Sequence, residues 1–176
     1  MALSRRFCCA LLLAMTLPAA GPLVAANTGW KTVRPEGGVF TCEMPGEPKR
    51  TSQKLSTPAG MIDVVAYMLE VPTGAYLVSA TPIPRNAPAL STQQRLDGAR
   101  DGAVKNVNGT LISEKQIKLD NNPGRDLLVK GPQGVFMHQR MFLINNQLVQ
   151  AVAVSQSKTE SADITHFFNS LKLSRN

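Results

Sequence analysis

The sequence predicts one α+β domain of layered type, on three observations. Apolar runs of strand length stand on both sides of the chain's middle, two amphipathic helical segments are separated by several such runs, and Gly, Pro and Asn clusters punctuate them. Strand runs at both ends with two separated helices favour a mainly antiparallel sheet flanked by helices over a doubly wound parallel one. The 176 residues suffice for one domain. With 43% hydrophobic and 18% charged residues the chain lies in the globular range, which excludes disorder, collagen and coiled coil.

The first segment reads as an address. Arg5 and Arg6 precede an apolar run from Phe7 to Leu17, followed by Pro18 and small residues ending Val24-Ala25-Ala26, the order of a secretory signal. Residues 1–26 are therefore expected to be removed by cleavage after Ala26, leaving a single globular domain, 27–176. The apolar run falls well short of the roughly 20 residues that a membrane-spanning helix needs, and no second such run follows it. Cleavage also removes Cys8 and Cys9, so the mature chain keeps Cys42 alone and forms no internal disulfide. It keeps 17 basic against 12 acidic residues, a net +5, which aids solubility but is too diffuse for a nucleic-acid footprint. About 150 residues bury enough surface to fold without staples.

Trp30 to Val33 and Phe40 to Met44 read as short strands separated by Pro35-Glu36-Gly37-Gly38. In the second, Phe40, Cys42 and Met44 alternate onto one face, so Cys42 is expected to be a small buried hydrophobe without a base to make it a thiolate. Lys49 to Ser56 is a polar strand, and Met61 to Val71 is apolar on both faces, as a central strand should be. Ala75 to Ala80 follows, and then Pro82, Pro84 and Pro88 stiffen a loop from Thr81 to Leu90.

Ser91 and Gln94 have capping-box spacing at the head of a helix that runs to Val107, with Leu96, Ala99, Ala103, Val104 and Val107 in one stripe. Gly98 and Gly102 each cost this helix roughly 1 kcal/mol relative to alanine, so close packing against a sheet is their expected use. Asn108-Gly109 ends it. Further strands are expected near Thr110 to Leu119, Arg125 to Lys130, Val135 to Ile144 and Gln147 to Val154. The turns between them are Asn121-Asn122-Pro123-Gly124, Gly131-Pro132-Gln133-Gly134 and the two-residue hairpin Asn145-Asn146. A last helix spans about Thr159 to Ser170, with Ser157 and Glu160 at capping-box spacing and Ile164, Phe167, Phe168 and Leu171 on one face.

The sequence lacks the motifs of common chemistries. No G-x-S-x-G elbow, H-E-x-x-H, Walker loop or G-x-G-x-x-G occurs. With one Cys and two His on different elements, no metal site, no cofactor and no catalytic residue is expected. His166 reads as a solvated helix histidine. On the strand from Val135, period two puts Phe136, His138, Arg140 and Phe142 on one face, a strip that suits a shallow groove for an anionic or amphipathic ligand. The competing reading has the Arg140 stem lying over the sheet with its head in water or paired with Asp126.

Several short segments together resemble a family. They are Trp30, Gly38-Val39-Phe40 leading into Met44-Pro45-Gly46-Glu47-Pro48, Pro123-Gly124-Arg125-Asp126-Leu127, Arg140 with Phe142, and Phe167-Phe168-Asn169-Ser170-Leu171-Lys172-Leu173. Over residues 28–173 the chain is similar to a group of secreted bacterial proteins with no assigned activity, of the PsbP-like and Mog-type fold. That resemblance implies an antiparallel sheet flanked by helices in an α/β/α sandwich, and an accessory role in binding or assembly with no family catalytic residue to carry over. No lipobox cysteine stands at the cleavage site, so lipid anchoring is not expected.

The expected function is that of an exported, non-catalytic accessory or binding protein of the bacterial envelope, periplasmic or secreted. Its partner would be an envelope protein or a small anionic or amphipathic ligand, and neither nucleic acid nor a membrane span is expected once the signal is removed. It is expected to be a monomer. One alternative is an enzyme using His138 and Arg140 in a groove; another is a salt-sensitive binder of anionic envelope polymers.

Overall fold

A computed structural model describes residues 29–35, 38–57, 60–85 and 87–174. The expected signal, residues 1–26, lies outside the described residues. The elements follow the expected order. Two short strands, β1 (Lys31–Val33) and β2 (Phe40–Met44), precede a meander of β3 (Lys49–Thr57), β4 (Gly60–Val71) and β5 (Gly74–Pro82). Helix α1 (Thr92–Asn106) leads to a second meander of β6 (Thr110–Leu119), β7 (Asn122–Lys130), β8 (Phe136–Ile144) and β9 (Gln147–Ser155). Helix α2 (Ala162–Asn169) and β10 (Lys172–Leu173) end the described chain. Mainly antiparallel sheet with two α-helices makes the fold α+β, as the element pattern predicts.

The two meanders join into one antiparallel sheet of seven strands, ordered β3-β4-β5-β9-β8-β7-β6. The seam is the β5–β9 pair, in register from Gly74 opposite Ser155 to Pro82 opposite Gln147. Strand β4 lies between β3 and β5, as expected of a central strand, but only one of its faces is fully covered. Ile62, Val64 and Ala66 are buried, whereas Met61 on the other face is 61% exposed, because hydrogen-bonded neighbours flank a strand without covering its faces. A second sheet has β2 in its centre, paired with β1 on one side and β10 on the other. Strand β10, which follows α2 closely, is not among the strands expected from the sequence.

Alternation along the seven-stranded sheet creates two cores on its opposite faces. On one face Tyr76, Val78, Phe142, Ile144, Val149, Ala151 and Ala153 pack with Phe40, Cys42 and Met44 of β2 and with Ile164, Phe167 and Phe168 of α2. On the other, Leu127, Val129, Met137, Met141, Leu148 and Val152 pack with Leu96, Ala99 and Ala103 of α1. Of the two glycines expected to pack closely, Gly102 is buried within the same helix face, while Gly98 is only half-buried. Ser91 and Gln94 form the complete capping box at its N-terminus.

Local chemistry accounts for the turns. Asn145 and Asn146 both take positive φ, 46° and 59°, the backbone of a primed two-residue hairpin. Gly74 is at φ 151°, and a Cβ there would collide with the Val154 carbonyl of the neighbouring strand. Gly124 is held by close approach, because a Cβ would meet the Met141 carbonyl and the Phe142 ring.

Three boundaries differ from expectation. The β6–β7 turn is Asp120 and Asn121, with Asp120 at φ 51°, so Pro123 and Gly124 belong to the strand. Pro123 is tolerated because it precedes the first β7 residue paired with β8, near the strand's start. Strand β5 extends through Pro82, whose position at the end of the ladder carries the same tolerance. Helix α2 starts after Ser161, whose hydroxyl accepts from the Ile164 amide; Ser157 instead closes a small turn with Thr159.

Candidate functional site

Phe136, His138, Arg140 and Phe142 share one face of β8, and that face looks toward α2. His138 is buried, 4% exposed. Its Nε2 lies 3.1 Å from the Ser157 carbonyl, which can only accept, so Nε2 carries the proton and donates to it. The nearest carboxylate, Glu160, is 4.0 Å from Nδ1. Arg140 donates from Nε to Asp126 at 3.1 Å, lies 4.8 Å over the Phe168 ring and reaches Asn169 Oδ1 at 3.5 Å. Phe142 is buried in the core, and Phe136 is half-buried at the strand's start. The strip is thus one contiguous face, tied to α2 and to the segment before it.

Arg125 and Asp126 point to opposite faces, as period two requires. Arg125 faces α1 and is 3% exposed, with Nε 2.7 Å from Glu114 and Nη2 3.2 Å from Asp97. Arg100 of α1 completes the cluster, 3.0 Å from Glu114 and 2.9 Å from Asp101. Those hydrogen bonds hold its guanidinium above its ordinary pKa, with the Asp101 bond the main cause and burial opposing. Two arginines and three carboxylates therefore fasten α1 to β6 and β7. The capping and stripe signals located the helix, but nothing in the sequence paired Arg125 with Asp97 or Glu114.

A second polar locality was not legible in the sequence. Between the second sheet and the C-terminal end of α2 lies a groove of about 350 Å³ lined by Thr32, Thr41, Glu43, His166, Asn169 and Lys172. Strand alternation builds its floor. With Phe40, Cys42 and Met44 buried, Thr41 and Glu43 must face outward; Thr32 stands opposite Glu43, and Lys172 opposite Thr41. The Glu43 amide has its partner in the Ser170 hydroxyl at 2.8 Å, and that hydroxyl donates to the Phe167 carbonyl at 2.7 Å. The C-terminal end of α2 is thereby pinned against β2.

His166 closes the groove from above. Its Nε2 donates to Glu43 Oε2 at 2.7 Å, and its ring lies 4.1 Å from that of Trp30, tilted by 48°. It is exposed, as a helix histidine was expected to be, yet it is engaged on two sides. Below the groove floor, burial pushes the Cys42 thiol up to about 12, with the Glu43 charge as a smaller cause. A thiol at that value stays protonated and inert, in keeping with its expected role as a buried hydrophobe. Among the described residues no cluster of three or more metal-ligating side chains occurs, and no helix is long and apolar enough to cross a membrane.

The fold is PsbP-like. The solution structure of cyanobacterial PsbP (CyanoP) from Synechocystis sp. PCC 6803 is similar to this chain with a TM-score of 0.54 and 10% sequence identity, covering 89% of this chain and 99% of its own. No protein-family model matches the chain, and no curated protein sequence does. At that identity the likeness is one of fold, in line with the resemblance carried by Trp30, the segment from Gly38 to Pro48, the Pro123 to Leu127 segment and the closing Phe167 to Leu173.

Proposed function

We propose that this chain is an exported, non-catalytic accessory protein of the bacterial envelope, periplasmic or secreted, that acts by contact with a partner at the groove between α2 and the β1-β2-β10 sheet. The observation that carries this reading is how the ionisable side chains are used. Arg140 holds Asp126 and His138 donates to a backbone carbonyl, so the residues that the sequence offered for an enzymatic groove are engaged in holding elements together, as Arg125 is with Glu114 and Asp97. The groove, by contrast, gathers exposed polar side chains from β1, α2 and β10 on a pinned framework. The layers support reading the fold as an α/β/α sandwich, with α1 and α2 on opposite faces of the long sheet. The PsbP-like fold also supports an accessory role, and the signal-like order of residues 1–26 supports export.

The test is affinity capture from envelope extract with the wild-type chain and with Thr32→Trp, which fills the groove from an exposed position. The expected result is a defined partner retained by the wild type and lost by the variant, with both proteins melting alike. Equal capture by both, or none by either, contradicts the proposal.

A further inference from the structure

We infer that the groove recognises a carboxylate; this rests on the contact reading above and gives it a chemistry. The lining is rich in donors. Lys172 is exposed and, among the described residues, has no acidic partner. Asn169 gives its Oδ1 to Arg140, so the other arm of the amide, the Nδ2 donor pair, is turned away from the guanidinium on a residue that lines the groove. Thr32 and Thr41 add two hydroxyls. Ser170 adds none, because its hydroxyl is already spent between the Glu43 amide and the Phe167 carbonyl.

The charges of the lining select the ligand class. Lys172 contributes one positive charge, Glu43 one negative, and His166 none or one, so the lining carries at most a single net positive charge. A singly charged carboxylate matches that, whereas a phosphate dianion or a polyanion would meet Glu43 uncompensated. A cationic ligand is disfavoured for the opposite reason, because the groove's carboxylate is already bound by His166 at 2.7 Å and Lys172 would repel the newcomer. Glu43 also shows the recognition at work from within: a carboxylate reaches into the groove and is held by an imidazole that stacks on Trp30. An incoming carboxylate would take Lys172 Nζ and Asn169 Nδ2, with Glu43 as the like charge opposing it.

Acidic side chains of a partner peptide and small free organic acids share this chemistry. The experiment follows backbone amide shifts at Thr32, Thr41, Glu43 and Lys172 in the exported chain during titration with three probes. These are a glutamate-bearing heptapeptide with blocked ends, its glutamine counterpart, and butyrate, a free acid with a single carboxylate. The expected result is saturable shifts with the glutamate peptide and none with the glutamine peptide. Lys172→Ala should weaken binding about tenfold, Lys172→Arg should largely restore it, and Glu43→Gln should tighten it several-fold by removing the like charge. Butyrate binding as tightly as the peptide supports the carboxylate and assigns the ligand to the free acids; butyrate binding much more weakly assigns it to a peptide.

Equal binding of the glutamine peptide, or affinities unmoved by Lys172→Ala and Glu43→Gln, overturns the carboxylate. Either outcome leaves the contact reading standing if Thr32→Trp still loses the partner. If instead the carboxylate binds as expected while capture shows no groove-dependent partner, the contact reading is what fails. A thermal melt of each variant separates lost binding from lost folding.

Discussion

His166 Nε2 lies 2.7 Å from Glu43 Oε2, joining residues 123 positions apart across the mouth of the groove. Both side chains are close to half exposed, so solvent screens the pair and its contribution to stability is small, under about 1 kcal/mol. Glu43→Gln is therefore expected to leave the urea midpoint nearly unchanged while altering contact at the groove. A loss of more than about 2 kcal/mol in urea unfolding would show that the pair is a structural clamp instead.

The Arg125 cluster is expected to behave in the opposite way. The Arg125 side chain is 4% exposed and its guanidinium compensates Glu114 and Asp97, so Arg125→Met leaves two carboxylates together against β7 with only Arg100 between them. The expected cost is about 3 kcal/mol by urea unfolding, because Glu114 and Asp97, 24% and 36% exposed, are only partly reached by water. A change below about 0.5 kcal/mol would mean that the cluster is already solvated.

Cys42 makes a pH-dependent prediction whose sign follows from burial. The folded thiol is raised from an ordinary 9.0 to about 12, so between those values the unfolded chain has lost a proton that the folded chain keeps. The thiol therefore has no effect on stability below pH 9, and stability falls as pH rises from 9 toward 12, by up to about 1.4 kcal/mol per pH unit. The measurement is the urea midpoint from pH 8 to 10.5 for the chain beginning at Asn27, compared with Cys42→Ala. The same chain should resist a disulfide labelling reagent at pH 8 until urea unfolds it; prompt labelling of the native protein would place the thiol outside the core.

Much of the fold was legible because its signals are local. Alternation at Phe40, Cys42 and Met44, the Ser91 and Gln94 box and the Asn145-Asn146 turn each depend on residues within one turn or strand. Period two also put Phe136, His138, Arg140 and Phe142 on one face. The groove was not legible, because Thr32, Glu43, His166 and Lys172 meet only when α2 and β10 return to β2, across more than 120 residues. His166 alone looks like a solvated histidine. Pro123 and Gly124 misled in another way: turn formers by composition, they occupy a strand because Gly124 fits under the Phe142 ring where a side chain would not.

Export is checked by mass. When the full chain is produced in a bacterium and the cells are fractionated, the protein recovered from the periplasm or medium is expected to begin at Asn27. A chain that keeps Met1 and stays in the cytoplasm would remove the envelope from the account.

The most direct measurement places a photo-activatable side chain at Thr32, in the groove, and another at Gln133, in the exposed turn between β7 and β8, and irradiates cells producing each chain. Work by contact at the groove predicts a defined covalent adduct from position 32 and none from position 133. No adduct from position 32, or the same adducts from both, would contradict it.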